Sequence, residues 1–384
     1  MFHIWQSCPL VNNSVFINFG PQHPAAHGVL RLLVQLYGEC VLSIDAHIGY
    51  LHRGSEWLCL KKTQQQACAY VERLDYTSVL TQTHCFFLAS EISLYRVASY
   101  LSQWWRTLAS EFGRLLNHYL AITTAALDIG LMAPLFWGFE EREKIMEFIE
   151  NDLGARMHAL PCRVRAMPNW QLVQREFYKF FRVANKSIIE VITLLLTNKL
   201  WRARLQVVGI ITFADALQFS LSGPLGRASG ISVDWRLQKL YKYDLYSQVA
   251  FTSFIGVVGD CYDRFVIRLR EVIEDLYILV QLIQIKYFDA GFGAINDMGS
   301  LITSFLNFQR SAYTNDFATT FVEAGKGLFG TSLFFLSGAC LRCHFRSPAF
   351  YNLQIIKRLA PGHYFSDLTA LLGTVDIVFG EVDR

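Results

Sequence analysis

Between Val15 and Ala46 short apolar runs are interrupted at close intervals. Val29–Leu36 is mostly apolar, Tyr37-Gly38-Glu39 reads as a turn, and Cys40–Ile44 alternates. Alternation around a Gly-containing turn predicts a β-hairpin. Ser55 is placed to cap a short helix, with Glu56 in its first turn and Trp57 and Leu58 as apolar anchors. Further on, the apolar spacing changes to three and four. His84–Leu101, Trp104–Leu127, Phe139–Asn151 and Trp170–Leu200 read as helices, the last with a break. Asp260–Lys286 carries a wide stripe of Phe265, Ile267, Leu269, Val272, Ile273, Leu276 and Leu279. Such helices predict a bundle packed on itself and on neighbours. Residues 287–337 are Gly-rich and read as irregular, with one helix expected at Met298–Gln309. The text from Ser337 to Arg384 reads as short strands and turns.

The pattern predicts an α+β fold: an N-terminal antiparallel β region over residues 1–83, a helical bundle over 84–290 and a mixed C-terminal part over 291–384. No repeat or linker separates them, so one interlocked body is expected.

Composition narrows the class. Of 384 residues 52% are hydrophobic and only 17% charged, with 30 Phe, so much apolar surface is expected to need covering by partners. Uncharged runs such as Leu245–Gly259 and Gly327–Leu341 are too short to span a bilayer, which takes about 20 apolar residues. A net charge of +3 without a basic cluster gives no reason to expect nucleic acid. The start, Met1-Phe2-His3-Ile4-Trp5, resembles neither a transit peptide nor a signal peptide. The nine cysteines are irregularly spaced. The one C-x-x-C, Cys340 and Cys343, falls in text that reads as a strand, where the two sulfurs would point to opposite faces. Metal or redox use of that pair is not expected.

The candidate chemistry begins at Phe19-Gly20-Pro21-Gln22-His23-Pro24-Ala25-Ala26-His27-Gly28. Pro24 keeps His23 out of the α region, and Pro21 and Gly28 punctuate both ends. Two imidazoles on a rigid loop beside a strand suggest a fixed proton donor facing a cavity. A polar turn whose histidines cap backbone groups is the plainer alternative. Further motifs follow in order: His52-Arg53-Gly54, Arg73-Leu74-Asp75-Tyr76, Leu127-Asp128-Ile129-Gly130, Arg156-Met157-His158, Gly259-Asp260-Cys261-Tyr262-Asp263-Arg264 and Gly380-Glu381-Val382-Asp383-Arg384.

In that order these motifs resemble the quinone-site subunit family of respiratory complex I, the proton-pumping NADH:ubiquinone oxidoreductase, itself related to the large subunit of nickel–iron hydrogenases. The resemblance runs from about residue 15 to the last residue. It implies a hydrogenase-large-subunit-like fold and a ubiquinone reduction site. His27 and Tyr76 would be the headgroup ligands, with His23 on the same loop and Asp128 paired to His27. Such roles suit the chemistry: quinone reduction needs a proton donor near each carbonyl oxygen, and a carboxylate fixes an imidazole's tautomer and favours its protonated form. The resemblance further implies that Arg53, Arg73 and His158 stand near a [4Fe–4S] cluster held by a neighbouring subunit. NADH and FMN would bind elsewhere in the complex. Partners would be the cluster-bearing subunit, other hydrophilic-arm subunits and membrane-arm subunits. The expected place is the matrix side of the mitochondrial inner membrane, and the missing presequence suggests mitochondrial synthesis.

Hydrogenase large subunits hold nickel and iron with two C-x-x-C pairs, one near each end. Here Val375-Asp376-Ile377-Val378-Phe379-Gly380 has no cysteine, and Cys59 and Cys68 stand nine apart. Soft nickel needs thiolates. No metal is therefore expected in this chain, which argues against a hydrogenase. A scaffold subunit without quinone chemistry is the other rival, and the retained His27, Tyr76 and Asp128 argue against it. Residues 287–320 match the family poorly.

Overall fold

The computed structural model describes residues 14–21, 28–93, 95, 97–158, 170–238, 243–285, 299, 317–336 and 339–384. The N-terminal hairpin forms as its alternation predicts. Strands β1 (Val15–Phe19), β2 (Arg31–Tyr37) and β3 (Cys40–His47) make an antiparallel sheet in the order β1-β2-β3. Tyr37 pairs with Cys40, so Gly38 and Glu39 form the turn, and Gly38 supplies the positive φ of +59°. Leu32, Val34 and Leu36 of β2 face the core, each at most 5% exposed.

Helices α1 (Ser55–Lys61) and α2 (Gln64–Val71) follow, then α3 (Val79–Ser93), α4 (Tyr100–Asp128) and α5 (Ala133–Leu153). Helix α6 (Trp170–Thr197) ends where Asn198 caps α7 (Lys199–Leu205), which is the expected break. Two short helices, α8 (Phe213–Gln218) and α9 (Gly223–Ala228), lead to α10 (Cys261–Gln284), which Asp260 caps through the Asp263 amide. Helix α4 packs along both α10 and α5. A second antiparallel sheet follows: β4 (Phe317–Ala324), β5 (Gly327–Leu336) and β6 (Ala339–Arg346). The chain closes with α11 (Pro348–Leu359), α12 (Phe365–Val375) and α13 (Phe379–Asp383). The fold is thus α+β, with an N-terminal sheet, a helical bundle and a mixed C-terminal part. Among the described residues, no helix is long and apolar enough to cross a membrane.

Several expectations need correction. Ser55 does not cap α1: Gly54, at φ +64°, is the capping position, and Ser55 is the buried first helical residue. Trp57 is no anchor, being 61% exposed. The helix expected at His84–Leu101 starts five residues earlier and stops at Ser93, because Ser99 caps a separate helix through the Ser102 amide. Ile273, assigned to the buried stripe of α10, is exposed. Residues 317–336, expected to be irregular, form a hairpin, and the text after Arg346 is helical. The helix expected at 298–309 lies outside the described residues, apart from Gly299.

The two sulfurs of Cys340 and Cys343 do not point to opposite faces. Cys343 pairs with Leu333 and Cys340 with Phe335, leaving Leu341 as a bulge. One extra residue restores the parity, so both thiols share a face. Cys343 meets the thiol of Cys59 on α1, which together with burial pushes its pKa up, and burial pushes Cys340 up to about 11. These are neutral thiols, poor ligands and poor nucleophiles. Among the described residues no group of three or more His, Cys, Asp or Glu could hold a metal ion.

A layer of buried charge ties the middle of the fold together. Arg114 of α4 meets Glu271 at 3.0 Å and Asp275 at 3.3 Å on α10. Arg227 of α9 meets Glu271 at 2.7 Å and Glu323 of β4 at 2.9 Å. Arg236 meets Asp234, Asp275 and Glu111 at 2.9, 3.1 and 3.2 Å. Tyr246 donates to Glu111 at 2.5 Å. Buried charge is tolerated only when paired in this way.

Candidate functional site

Tyr76 stands at the apex of a tight turn whose base is buried. Thr63 and Gln66 start α2 with a reciprocal capping box, and α2 ends at Glu72. The next residues are held by Asp75, which is fully buried. Its amide donates to Gln82 Oε1 at 3.0 Å, and its Oδ1 accepts from the Thr77 amide at 3.0 Å and the Thr77 hydroxyl at 2.6 Å. This Asx-type turn leaves Tyr76 38% exposed between two buried residues.

Lys326 lies beneath that turn. It occupies the tip of the β4–β5 hairpin yet is fully buried, with Nζ 3.3 Å from both Asp75 oxygens and hydrogen-bonded to Thr77 and Asn117. Gly325 and Gly327 let the tip enter the core: a Cβ on Gly325 would stand 2.8 Å from Asn117 Nδ2, and one on Gly327, at φ +136°, 2.7 Å from Ser222 Oγ. Asn117 Nδ2 donates to Asp376 Oδ2 at 3.0 Å, and Arg268 meets the same carboxylate at 3.2 Å. Burial opposes charge on Lys326, but Asp376, Asp75 and Glu381 outweigh it and hold its pKa above the usual lysine value. The site is therefore a buried ammonium clasped by carboxylates, directly behind an exposed phenol.

Burial raises the pKa of Tyr76, Lys326 pulls it down, Asp75 and Asp376 raise it, and Arg53 lowers it. The net shift is upward, so the phenol keeps its proton at neutral pH. Behind its ring, with Thr77, Leu80, Leu116 and Met146, lies a cavity of only about 10 Å³. That is room for about one water. A larger partner can reach Tyr76 only from its open side.

Arg53 and Arg73 stand beside this turn. Arg53 Nη1 donates to the Arg73 carbonyl at 3.4 Å, and Arg53 acts electrostatically on Tyr76. Arg73 donates to Ala69 O. Both arginines are exposed. His158 Nδ1 is 4.0 Å from Glu72 Oε2. Burial, then Arg73, lowers the His158 pKa, while burial raises Glu72 to about 7, partly offset by Arg73. His23 and His27 lie outside the described residues. Asp128 is the last residue of α4, eleven residues beyond Asn117, or about 16 Å further along the helix on nearly the same face. It packs on α12, where a Cβ on Gly373 would stand 2.5 Å from its Oδ2. It is not among the charges that weigh most on Tyr76.

Sequence reasoning missed Lys326, Asp75, Asn117, Asp376, Glu381 and Glu72. A lysine between two glycines at a hairpin tip was the one local signal. A second hollow, a cleft of about 480 Å³, opens beside α1 and the chain end, lined by His52, Glu56, Trp57, Arg342, Asp383 and Arg384 among others.

The comparisons agree with this arrangement of motifs. Residues 128–384 match the family model described as respiratory-chain NADH dehydrogenase, 49 Kd subunit. The NADH-ubiquinone oxidoreductase 49 kDa subunit of Nyctotherus ovalis is 40% identical over 387 residues, covering 96% of this chain and 94% of that one. Its counterpart in Reclinomonas americana is 41% identical over 387 residues, covering 96% of each. NADH dehydrogenase (ubiquinone) iron-sulfur protein 2 of Nephroselmis olivacea is 41% identical over 388 residues, again covering 96% of each. On these matches and its mixed fold, the chain belongs to the 49 kDa subunit family of respiratory-chain NADH dehydrogenase, whose members are built like hydrogenase large subunits.

Proposed function

We propose that this chain supplies one wall of the ubiquinone reduction site of the complex, with Tyr76 as a proton donor to the headgroup. The observation that carries the reading is the half-exposed phenol of Tyr76 set over the buried Lys326–Asp75 pair, with Arg53 and Arg73 on the same face. A phenol held above its ordinary pKa is neutral, so it can donate a hydrogen bond to a quinone oxygen and a proton once that oxygen gains charge. Lys326 would stabilise the phenolate left behind. The narrow hollow behind the ring directs the headgroup to the open side, where a neighbouring subunit would close the chamber. On that reading His27, with His23 on its loop, approaches the other side of the headgroup, and Asp128 assists His27.

Arg53, Arg73 and His158 would face the neighbouring subunit's [4Fe–4S] cluster, where positive charge or a hydrogen bond favours the reduced state. Exposed apolar side chains, including Phe16, Val97, Met132, Phe136 and Val257, fit a subunit covered by partners in both arms. The similar proteins' names support NADH as the electron source, and NADH and FMN would bind on other subunits. The place proposed is the mitochondrial inner membrane's matrix-side arm, and proton pumping belongs to the whole complex. Tyr76→Phe in the assembled complex tests the role. Cluster reduction by NADH should persist while quinone reductase activity falls by about 10²–10⁴, the usual worth of a positioned acid. Unchanged turnover would leave the chain a scaffold.

A further inference from the structure

Glu381 is the feature that the proposed function does not use. It lies on α13 and is 1% exposed, and neither carboxyl oxygen makes a well-formed hydrogen bond among the described residues, the Ser347 hydroxyl bearing on the carboxyl without closing one. The helix carrying it is pressed against the Tyr76 turn: a Cβ on Gly380 would stand 2.6 Å from Leu74 O and 3.1 Å from Arg73 O. The groups around Glu381 come from every neighbouring element. Asp75 faces it from the Tyr76 turn, Lys326 from the β4–β5 tip, Asp376 from the end of α12 and Ser347 from the start of α11. Arg268 of α10 joins through Asp376, and Arg346 of β6 senses the charge of Glu381.

Lys326 is the cation that acts most on this carboxyl, and it is already shared with Asp75 and Asp376; Arg268 is taken up by Asp376, and Arg346 lies further out, bonded to backbone carbonyls. An ionised carboxylate in full burial without a hydrogen bond is costly. Burial, then Asp75, raise the pKa of Glu381 to about 8, against the opposing pull of Lys326 and Ser347.

We infer that Glu381 holds a transferable proton beneath Tyr76 and returns it to that phenol after each donation. The inference rests on the proposed role of Tyr76. The balance is simple. The Tyr76 O–H bond breaks and its proton goes to the acceptor oxygen in front. The Glu381 O–H bond then breaks, and its proton, passed along the Asp75 side of the cluster, ends on the phenolate. The cluster gains one negative charge, which Lys326 faces. The direction is downhill, since the phenol is held above its ordinary pKa and the carboxyl lies near 8. Recharging comes from behind: Val382, Asp383 and Arg384, the residues after Glu381, line the 480 Å³ cleft. Glu381 acts through Tyr76 and is not itself a catalytic residue.

The test uses the assembled complex with a short-tailed ubiquinone analogue, over a pH series. The wild-type rate should fall as pH rises through about 8, where Glu381 loses its proton. Glu381→Gln keeps the shape and the neutral charge but carries no transferable proton. Its rate below that pH should drop by about 10–100-fold, within the usual range for a proton-transfer group, and the alkaline limb should vanish. Glu381→Asp should keep a limb. Ser347→Ala removes a hydroxyl that lowers this pKa, so it should move the limb to higher pH. A merely structural role would leave Glu381→Gln near the wild-type rate with the limb intact, and that result overturns the inference. Should Glu381→Gln fail to assemble, an unmoved limb in Ser347→Ala overturns it equally. Infrared difference spectra should show a protonated carboxyl titrating near 8 in the wild type and missing in Glu381→Gln. Absence of that band overturns the inference alone, whereas normal turnover in Tyr76→Phe overturns the proposed function and the return step with it.

Discussion

Replacing Glu72 with Gln should stabilise the turn that carries Tyr76, and increasingly so as pH rises. Glu72 is 2% exposed at the C-terminal end of α2, where the helix dipole also disfavours negative charge, and its Oε1 has no hydrogen-bond partner among the described residues. Burial raises its pKa from 4.5 to about 7, with Arg73 opposing. A raised folded-state value means that the folded chain binds more protons than the unfolded one across that interval. The associated stability is present below 4.5 and is lost as pH rises through 7. At about 1.4 kcal/mol per pH unit the ceiling is roughly 3 kcal/mol, and the part falling between about pH 6 and about pH 8 is roughly 1.3 kcal/mol. Gln cannot ionise, so the variant escapes this loss. Hydrogen exchange of residues 64–73, followed by mass spectrometry in the assembled complex, measures the local opening. Comparing variant with wild type at the same pH cancels the intrinsic exchange chemistry. The protection ratio should grow about tenfold between those two pH values. A ratio that stays flat would show that Glu72 is ionised throughout, and the argument from burial would fail.

Two further outcomes follow from the same region. His158→Met should leave the neighbouring cluster assembled but make its midpoint potential lower and nearly pH-independent, against a limit of about 59 mV per pH unit for one electron and one proton. Arg73→Ala should lower the potential and keep the slope, because arginine does not titrate in this range. Redox titration by electron paramagnetic resonance checks both, and an unaltered slope in His158→Met transfers the coupled proton to Glu72, 4.0 Å away. Gly373→Ala places a methyl 2.5 Å from Asp128 Oδ2 and so displaces that carboxylate without removing it. If Asp128 aids His27, quinone reduction should fall by about 10–100-fold in a complex that still assembles. Normal turnover would remove Asp128 from the site.

What could be read from the sequence depended on how each element meets water. β2 keeps one face only partly covered, so its alternation is visible, and α10 has a solvent side, so its stripe is visible. Helix α3 is buried nearly all round, from Val79 through Phe87, and its period does not show. The same holds for α12, where Leu368 through Val375 is buried except at Thr369; it reads as a strand because a run buried on all sides shows no helical face. The β4–β5 hairpin was hidden for a related reason. Val322, Phe329 and Thr331 are all fully buried and Gly330 packs on Phe321, so neither strand alternates cleanly. The bulge at Leu341, which turned two cysteines to one face, leaves no local mark at all.

Tyr76, Arg53, Arg73 and His158 were singled out because each sits in a short motif; Glu381 sits in one too, but it, Lys326 and Asp376 reach the site from segments about 250 to 305 residues beyond Tyr76, and no spacing marks them as its neighbours. Their meaning comes from comparison with the other buried charge in the fold. Around Arg114, Arg227 and Arg236 every carboxylate has at least one guanidinium partner, so that layer holds α4, α9, α10 and β4 in place. Around Lys326, Glu381 makes no ion pair with a guanidinium among the described residues. A fold that needed only rigidity there would do better with an apolar residue at 381, since an unpaired buried acid costs stability and contributes no contact. That acid lies behind the turn carrying the half-exposed Tyr76, next to the cleft from which it can be recharged. A buried carboxyl that no guanidinium meets is thus what sets this cluster apart from the arginine layer, and it can be recognised only after the chain has folded.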